Sequence, residues 1–250
     1  MPLTIRQFPC LSDNYGFIFR DEASGRTACV DTPDAQAVLA ALDDAGWGLD
    51  FILNTHWHPD HAGGNAQVQA ATGAKIVGPA EVTRIAPLDR TVADGDVVEV
   101  GETRFAVIGC GGHTLGHVAY FAREAHVAFV GDTLFALGCG RVFEGTAQQM
   151  WTSLDRLAAL PGDTAVYCAH EYTASNARFA LSVDPDPAVK ARAEAVFAAR
   201  ARGEATVPTT IALERATNPF LRAPQLAGMP GAPDYESFAA IRAAKDSFKG

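Results

Sequence analysis

The sequence predicts an α+β protein in which a β-rich part comes first and a helical part follows. Through residue 170, short β-prone runs alternate with amphipathic helices, and after Glu171 no convincing strand remains. The two parts are therefore expected to meet near residue 170, as 1–170 and 171–250. A third observation concerns chemistry. The strand patterns before residue 170 repeatedly run out into histidine or aspartate, at His56, His113, Asp132 and His170.

The opening reads as a meander: Leu3 to Phe8, Tyr15 to Arg20 and Thr27 to Asp31 are β-prone runs parted by Ser12-Asp13-Asn14 and Ala23-Ser24-Gly25. Asp34 can cap a helix over Ala35 to Ala45, whose Val38, Leu39 and Leu42 form one apolar face and whose end is marked by Gly46. Phe51 to Asn54 is a short buried strand, Gly63 to Thr72 a helix, and Lys75 to Val77, Val97 to Val100 and Arg104 to Ile108 further strands. A glycine-rich loop, Gly109 to His117, follows, where backbone can approach a ligand closely. Val118 to Ala122 and His126 to Val130 read as a hairpin. Thr146 can cap a helix over Ala147 to Leu160, stopped by Pro161-Gly162, before the last strand at Ala165 to Cys168. Helices are expected at Thr173 to Ser182, Pro187 to Arg202, Thr210 to Ala216 and Tyr235 to Lys249, with Ala223 to Pro233 a mobile connection.

The densest stretch is Thr55-His56-Trp57-His58-Pro59-Asp60-His61. Residues two apart in an extended segment point the same way, which aims His56 and His58 at one point. Pro59 breaks the extension and turns Asp60 and His61 towards a second. A solvated polar loop explains one or two histidines, but not three imidazoles and a carboxylate packed so tightly. With His113, Asp132 and His170 the candidate ligands become seven, all imidazole nitrogen or carboxylate oxygen and none thiolate. That set suits Zn, Fe or Mn in a catalytic site. Two ions sharing Asp132 would each gain three other ligands, polarise a carbonyl and supply hydroxide near neutral pH, so hydrolysis is the expected chemistry.

Bulk properties narrow the partners. At 250 residues and 48% hydrophobic, the chain can bury a sizeable core. No apolar stretch is long enough to span a membrane and none follows a basic start, so a cytoplasmic protein is expected. The odd number of cysteines, Cys10, Cys29, Cys110, Cys139 and Cys168, with no CxxC pair, argues against a disulfide framework. A formal net charge of -9 disfavours nucleic acid or an anionic membrane as partner. Residues 1–170 hold 10 Lys and Arg against 20 Asp and Glu, whereas 171–250 hold 10 against 9. The later part is thus the better place for an anionic ligand.

The HxHxDH pattern of His56, His58, Asp60 and His61 resembles that of the metallo-β-lactamase superfamily. Within it, Gly112-His113-Thr114-Leu115-Gly116-His117, Gly131-Asp132-Thr133-Leu134-Phe135, Gly138-Cys139-Gly140-Arg141, His170-Glu171-Tyr172-Thr173 and Asn218-Pro219-Phe220-Leu221-Arg222 are similar to the signatures of glyoxalase II, the hydroxyacylglutathione hydrolases. The resemblance covers nearly the whole chain. It implies an αββα sandwich with a small C-terminal helical domain, and two ions, Zn or else Fe or Mn. His56, His58 and His113 would hold one, Asp60, His61 and His170 the other, and Asp132 would bridge them, making Asp60 and Asp132 the catalytic carboxylates. It further implies that Arg141, Tyr172, Arg242 and Lys245 grip glutathione, with Phe143 where the family often has tyrosine and Arg141 where lysine is common.

By the same resemblance, a hydroxide bridging the ions attacks the thioester of S-D-lactoylglutathione or a related 2-hydroxyacyl conjugate, the second step of methylglyoxal detoxification, in a monomer. A persulfide dioxygenase with one iron is the nearest alternative, and a hydrolase of lactams or lactones a third. His117 is expected to be structural and His126 exposed. Cys139 and Cys168 are expected to be buried thiols without a nucleophilic role.

Overall fold

The computed structural model describes residues 3–250 and divides them into two compact units. The first comprises the chain up to Gly109 together with Gly116–Gly131, and the second Cys110–Leu115 with Asp132–Gly250. The architecture is α+β, with mixed sheets and a helical C-terminal part.

In the first unit, strands β1 (Leu3–Cys10), β2 (Asn14–Asp21), β3 (Thr27–Val30), β4 (Phe51–Leu53), β5 (Lys75–Gly78) and β6 (Arg90–Thr91) lie side by side in chain order. The first three pair antiparallel, and β3 to β6 pair parallel. Register puts Ile18, Cys29, Ile52 and Ile76 in one row across four strands, each fully buried. Helices α1 (Ala35–Ala45), α2 (Pro59–Ala62) and α3 (Asn65–Thr72) follow β3 and β4, and Val38, Leu42 and Val68 pack on that row. Burying each large aliphatic side chain contributes roughly 1.5–3 kcal/mol. Asp34 caps α1 by accepting from the Gln36 and Ala37 amides, and Gly46 ends it in the left-handed conformation.

Because side chains alternate along β2, Phe17 and Phe19 point away from α1. They meet Phe105 and Phe129 of a second sheet, β7 (Val97–Val100), β8 (Thr103–Gly109), β9 (Val118–Ala122) and β10 (Val127–Gly131), an antiparallel meander. Ring centroids of Phe19 lie 5.1 Å from Phe105 and 5.6 Å from Phe129. Two sheets face each other over an aromatic core, with a helix outside.

The second unit contains a short hairpin, β11 (Leu134–Phe135) and β12 (Gly138–Cys139), and helix α4 (Ala147–Ala158), which opens with a capping box of Thr146 and Gln149. Strand β13 (Ala165–Cys168) pairs antiparallel with β14 (Thr209–Thr210). Helices α5 (Thr173–Val183), α6 (Pro187–Ala201), α7 (Ile211–Thr217), α8 (Ala223–Ala227) and α9 (Asp234–Ser247) complete it. Phe220 bridges Phe179 of α5 and Phe238 of α9 at centroid distances of 5.8 and 6.2 Å.

Three details differ from the sequence expectations. The helix expected over Gly63 to Thr72 starts only at Asn65, and a separate one-turn helix precedes it at Pro59–Ala62; between them Gly64 abuts Thr32 and its amide donates to the Thr32 carbonyl at 3.0 Å. Ala223 to Ala227 is helical rather than part of a mobile connection, and α8 packs on α9. Strand β14 exists after Glu171, but two residues are too few to show alternation.

Candidate active site

Parallel strands β3 and β4 end side by side, and their ends assemble the histidine loop. The Asp31 amide donates to the Leu53 carbonyl at 3.0 Å, which sets the Asp31 carboxylate beside Thr55. Its Oδ1 accepts from the Thr55 amide at 2.8 Å, and its Oδ2 accepts from Thr55 Oγ1 at 2.8 Å and from His61 Nδ1 at 2.9 Å. The Thr55 proton is thereby committed to Asp31, so Thr55 Oγ1 accepts from His56 Nδ1 at 3.0 Å. These partners leave the Nε2 atoms of both His56 and His61 as lone-pair donors, the tautomer a metal ligand needs. His56 Nε2 lies 3.0 Å from His58 Nδ1, and His61 Nε2 lies 3.7 Å from Asp60 Oδ2. Buried Asn14 holds Asp60 by donating to its carbonyl at 3.2 Å and its Oδ2 at 3.3 Å.

His117 is buried and stacks on His56 at 4.7 Å and 25°, forming a wall against that ring. Gly131 follows from that wall: at φ +49° a Cβ there would lie 2.6 Å from Thr55 Oγ1 and 2.7 Å from His117 Nε2. His126 is exposed in a turn.

The second unit brings together the other candidate ligands. His113 Nδ1 donates to the Arg141 carbonyl at 2.9 Å, which fixes the same tautomer and leaves Nε2 3.4 Å from Asp132 Oδ2. His170 Nε2 stands 3.4 Å from Asp132 Oδ1. Each oxygen of Asp132 thus faces a different imidazole. Gly140 makes this approach possible, since a Cβ there would sit 1.9 Å from the Asp132 carbonyl oxygen. Tyr172 lies flat on His170 at 4.7 Å and 3°, and Phe135 closes on both rings edge-on. The donor set, neutral imidazole nitrogens and carboxylate oxygens with lone pairs converging, fits divalent cations.

His113 and Asp132 lie on the wall of a cavity of about 510 Å³ that Cys139, Arg141, Phe143, Tyr172, Arg242 and Lys245 also line. Arg242 is buried: its Nη1 donates to the Cys139 carbonyl at 3.1 Å, its Nη2 to Asp246 at 2.8 Å, and its guanidinium lies 4.9 Å over Phe220. Lys245 donates to the Ser175 carbonyl and hydroxyl, both at 3.2 Å. Burial, then the charges of Arg242, Arg178 and Arg141, push the Lys245 ammonium down to about 8, partly opposed by Asp246. Burial pushes the Cys139 thiol up to about 11 and Cys168 to about 12, so neither supplies thiolate near neutral pH. All five cysteines are free and buried.

The loop bearing Cys139 and Arg141 is held from the helices. Asn218 Nδ2 donates to the carbonyls of Phe135 at 3.1 Å and Gly138 at 2.9 Å, and Asn176 to that of Ala136 at 3.1 Å. Buried Glu214 receives the Leu137 amide at 2.9 Å and is ion-paired with Arg192.

A family model described as Metallo-beta-lactamase superfamily matches residues 26–170, and one described as Hydroxyacylglutathione hydrolase C-terminus matches residues 171–248. The Hydroxyacylglutathione hydrolase of Maricaulis maris (strain MCS10) is 57% identical over 98% of this chain and 99% of its own. That of Erythrobacter litoralis (strain HTCC2594) is 54% identical over 98% of this chain and 100% of its own. The chain belongs to the hydroxyacylglutathione hydrolase family, within the metallo-beta-lactamase superfamily. The crystal structure of ETHE1 from Myxococcus xanthus superposes with a TM-score of 0.70 at 28% identity, covering 96% of this chain and 90% of that one.

Through these contacts Asn218 and Asn176 anchor the turn that leads into Gly140 and Arg141. Sequence reasoning had Asn218 only as part of a family-like signature, without its role, and missed Asn176, Asp31, Thr55 and Asn14 as supporting residues. One signal for Asp31 was present. Val30-Asp31-Thr32 repeats the pattern of Gly131-Asp132-Thr133, an aspartate and threonine closing an apolar strand.

Proposed function

We propose that this chain hydrolyses S-D-lactoylglutathione and related S-(2-hydroxyacyl)glutathiones to glutathione and a 2-hydroxy acid, as the second step of methylglyoxal detoxification. The observation that carries this is the cavity of the second unit, where His113 and Asp132 share a wall with Arg141, Arg242 and Lys245. A glutathione thioester has two carboxylates for such cations and a carbonyl for the ligand side. In this reading His56, His58 and His113 hold one divalent ion, Asp60, His61 and His170 hold a second, and Asp132 is shared. The two oxygens of Asp132, each 3.4 Å from a different histidine, support the sharing. Zn suits the donors, as Fe or Mn would. When bound, the ions supply Lewis acidity towards the thioester carbonyl and lower the pKa of water.

The chain's own residues do the rest. Arg141, Lys245 and Tyr172 orient the glutathione part, and Arg242 shapes the turn beneath it. Asp31 and Thr55 keep His56 and His61 in the Nε2-donating form. A thiol of pKa about 8.5 leaves as the anion, so the chemistry requires no proton donor for it. Residues 1–170 then act as the metal domain and 171–250 as the substrate domain. The hydrolysis is placed in the cytoplasm; separately, among the described residues no helix is long and apolar enough to cross a membrane.

Thiol release from S-D-lactoylglutathione, with metal content measured on the same preparation, tests the reading. Two equivalents of metal and release of thiol are expected. No release by loaded protein, or a single iron with oxygen-dependent consumption of glutathione persulfide, overturns it in favour of the dioxygenase.

A further inference from the structure

The Tyr172 ring lies flat on the His170 imidazole at 4.7 Å and 3°, and His170 Nε2 points at Asp132 Oδ1 from 3.4 Å. Tyr172 is the N-cap residue of α5, but its side chain makes no capping hydrogen bond there. Its two neighbours in the chain are held by one residue of the loop between α6 and β14. Glu171 Oε1 accepts from Thr206 Oγ1 at 2.6 Å, and Glu171 Oε2 accepts from the Thr206 amide at 2.9 Å. Thr206 Oγ1 also lies 2.6 Å from Thr173 Oγ1. A carboxylate only accepts, so the Thr206 proton goes to Glu171 and the buried Thr173 hydroxyl donates to Thr206. Arg200 stands 3.5 Å from Glu171 Oε2 and balances its charge. Thr206 thus grips the residues on both sides of Tyr172.

We propose that Thr206 is a positioning residue for the metal site: by clamping Glu171 and Thr173 it keeps the Tyr172 ring flat on His170, and so keeps His170 Nε2 aimed. This rests on the reading of His170 as a metal ligand. A ring stacked face to face blocks rotation of the imidazole about its bond to Cβ. An imidazole free to turn spends only part of its time in the aimed orientation, and apparent affinity falls by that fraction. Thr206 acts through Tyr172, one step further from the ion than a direct partner of the ligand, so its effect should lie below the ten- to hundredfold of such partners.

The test uses the full chain and Zn²⁺, with the affinity of the weaker-bound equivalent read by chelator competition at a temperature where every metal-free variant is folded. Thr206→Val keeps the β-branched shape and the amide contact to Glu171 and removes only the hydroxyl. It should weaken Zn²⁺ by roughly three- to tenfold. Thr206→Ser, which restores the hydroxyl, should bind as the unsubstituted chain does. In a Tyr172→Ala background Thr206→Val should add no further loss, because the route to His170 is already cut. Unchanged affinity in Thr206→Val, an equal loss in Thr206→Ser, or the full loss again in the Tyr172→Ala background overturns the proposal. If the unsubstituted chain hydrolyses no glutathione thioester, the hydrolase reading fails while the Zn²⁺ comparison still judges the clamp. Hydrolysis together with an unmoved affinity removes the clamp alone.

Discussion

His56, His58, Asp60 and His61 come from six successive positions, and groups of the first unit steer three of them: Thr55 holds His56, Asp31 holds His61 and Asn14 holds Asp60. The cavity of the second unit is assembled the other way: Arg242 reaches the Cys139 carbonyl across 103 positions, and Asn218 reaches Phe135 across 83. A loop held at the ends of paired strands has its geometry written into those strand ends. A wall built from distant pieces depends on the packing of several helices. Disturbing the first should therefore act on metal and chemistry, whereas disturbing the second should act on substrate affinity and fold together.

The largest effect should come from Asp132, which faces His113 and His170 with separate oxygens. Asp132→Ala is expected to lose both metal equivalents and to lower kcat by at least roughly a thousandfold. Metal analysis and turnover on one sample check this. Retention of one full equivalent would show that Asp132 serves a single ion.

Asp31 comes next, because it steers a ligand without being one of the seven. Asp31→Asn replaces one carboxylate oxygen with an NH₂ donor, so the amide cannot accept from the Thr55 amide and from His61 Nδ1 at once. The other tautomer of His61 then competes. Metal affinity should weaken by roughly ten- to a hundredfold, read by chelator competition. Asp31 also sits at φ +58°, which aspartate tolerates better than most residues, so the amide variant isolates hydrogen bonding from backbone strain. Unchanged affinity would reduce Asp31 to a structural support.

How much of this the sequence revealed differs between the regions for the same reason. The ends of α1, at Asp34 and Gly46, were legible because capping is decided within a few residues. So were the strand ends carrying the histidines. Residues 223–227 were not, because Pro and Gly punctuation signals a break whether or not a short helix forms between the breaks, and packing on α9 decides that. Nor could spacing show that Arg242 is buried beneath a turn 103 residues earlier. On a helix, Arg242 and Lys245 looked like equivalent surface cations.

Their environments now separate them. Arg242 spends its donors on Asp246 and the Cys139 carbonyl, so Arg242→Ala should destabilise the fold by about 1–3 kcal/mol as well as raise KM. Lys245→Ala should raise KM by roughly tenfold with Tm nearly kept, because it removes one charge-assisted contact and relieves repulsion from Arg141, Arg178 and Arg242. Equal Tm losses in the two variants would erase the distinction.

The smallest effect is also the most diagnostic, because its two consequences have opposite signs. Lys245 is held down to about 8 from an ordinary value of 10.5, first by burial and then by neighbouring arginines. Only its protonated form attracts a substrate carboxylate, so affinity should be full below pH 8 and weaken as pH rises through it, by roughly tenfold at most. Stability runs the other way. The folded chain holds this proton less well than the unfolded chain, so the charged form opposes folding below pH 8, and the opposition is lifted between pH 8 and 10.5. KM and Tm should therefore rise together through this window. Lys245→Arg keeps its charge at every pH and should flatten both. A KM that rises in the arginine variant as in the unsubstituted chain would assign the pH dependence to another group and return Lys245 to the status of an ordinary surface lysine.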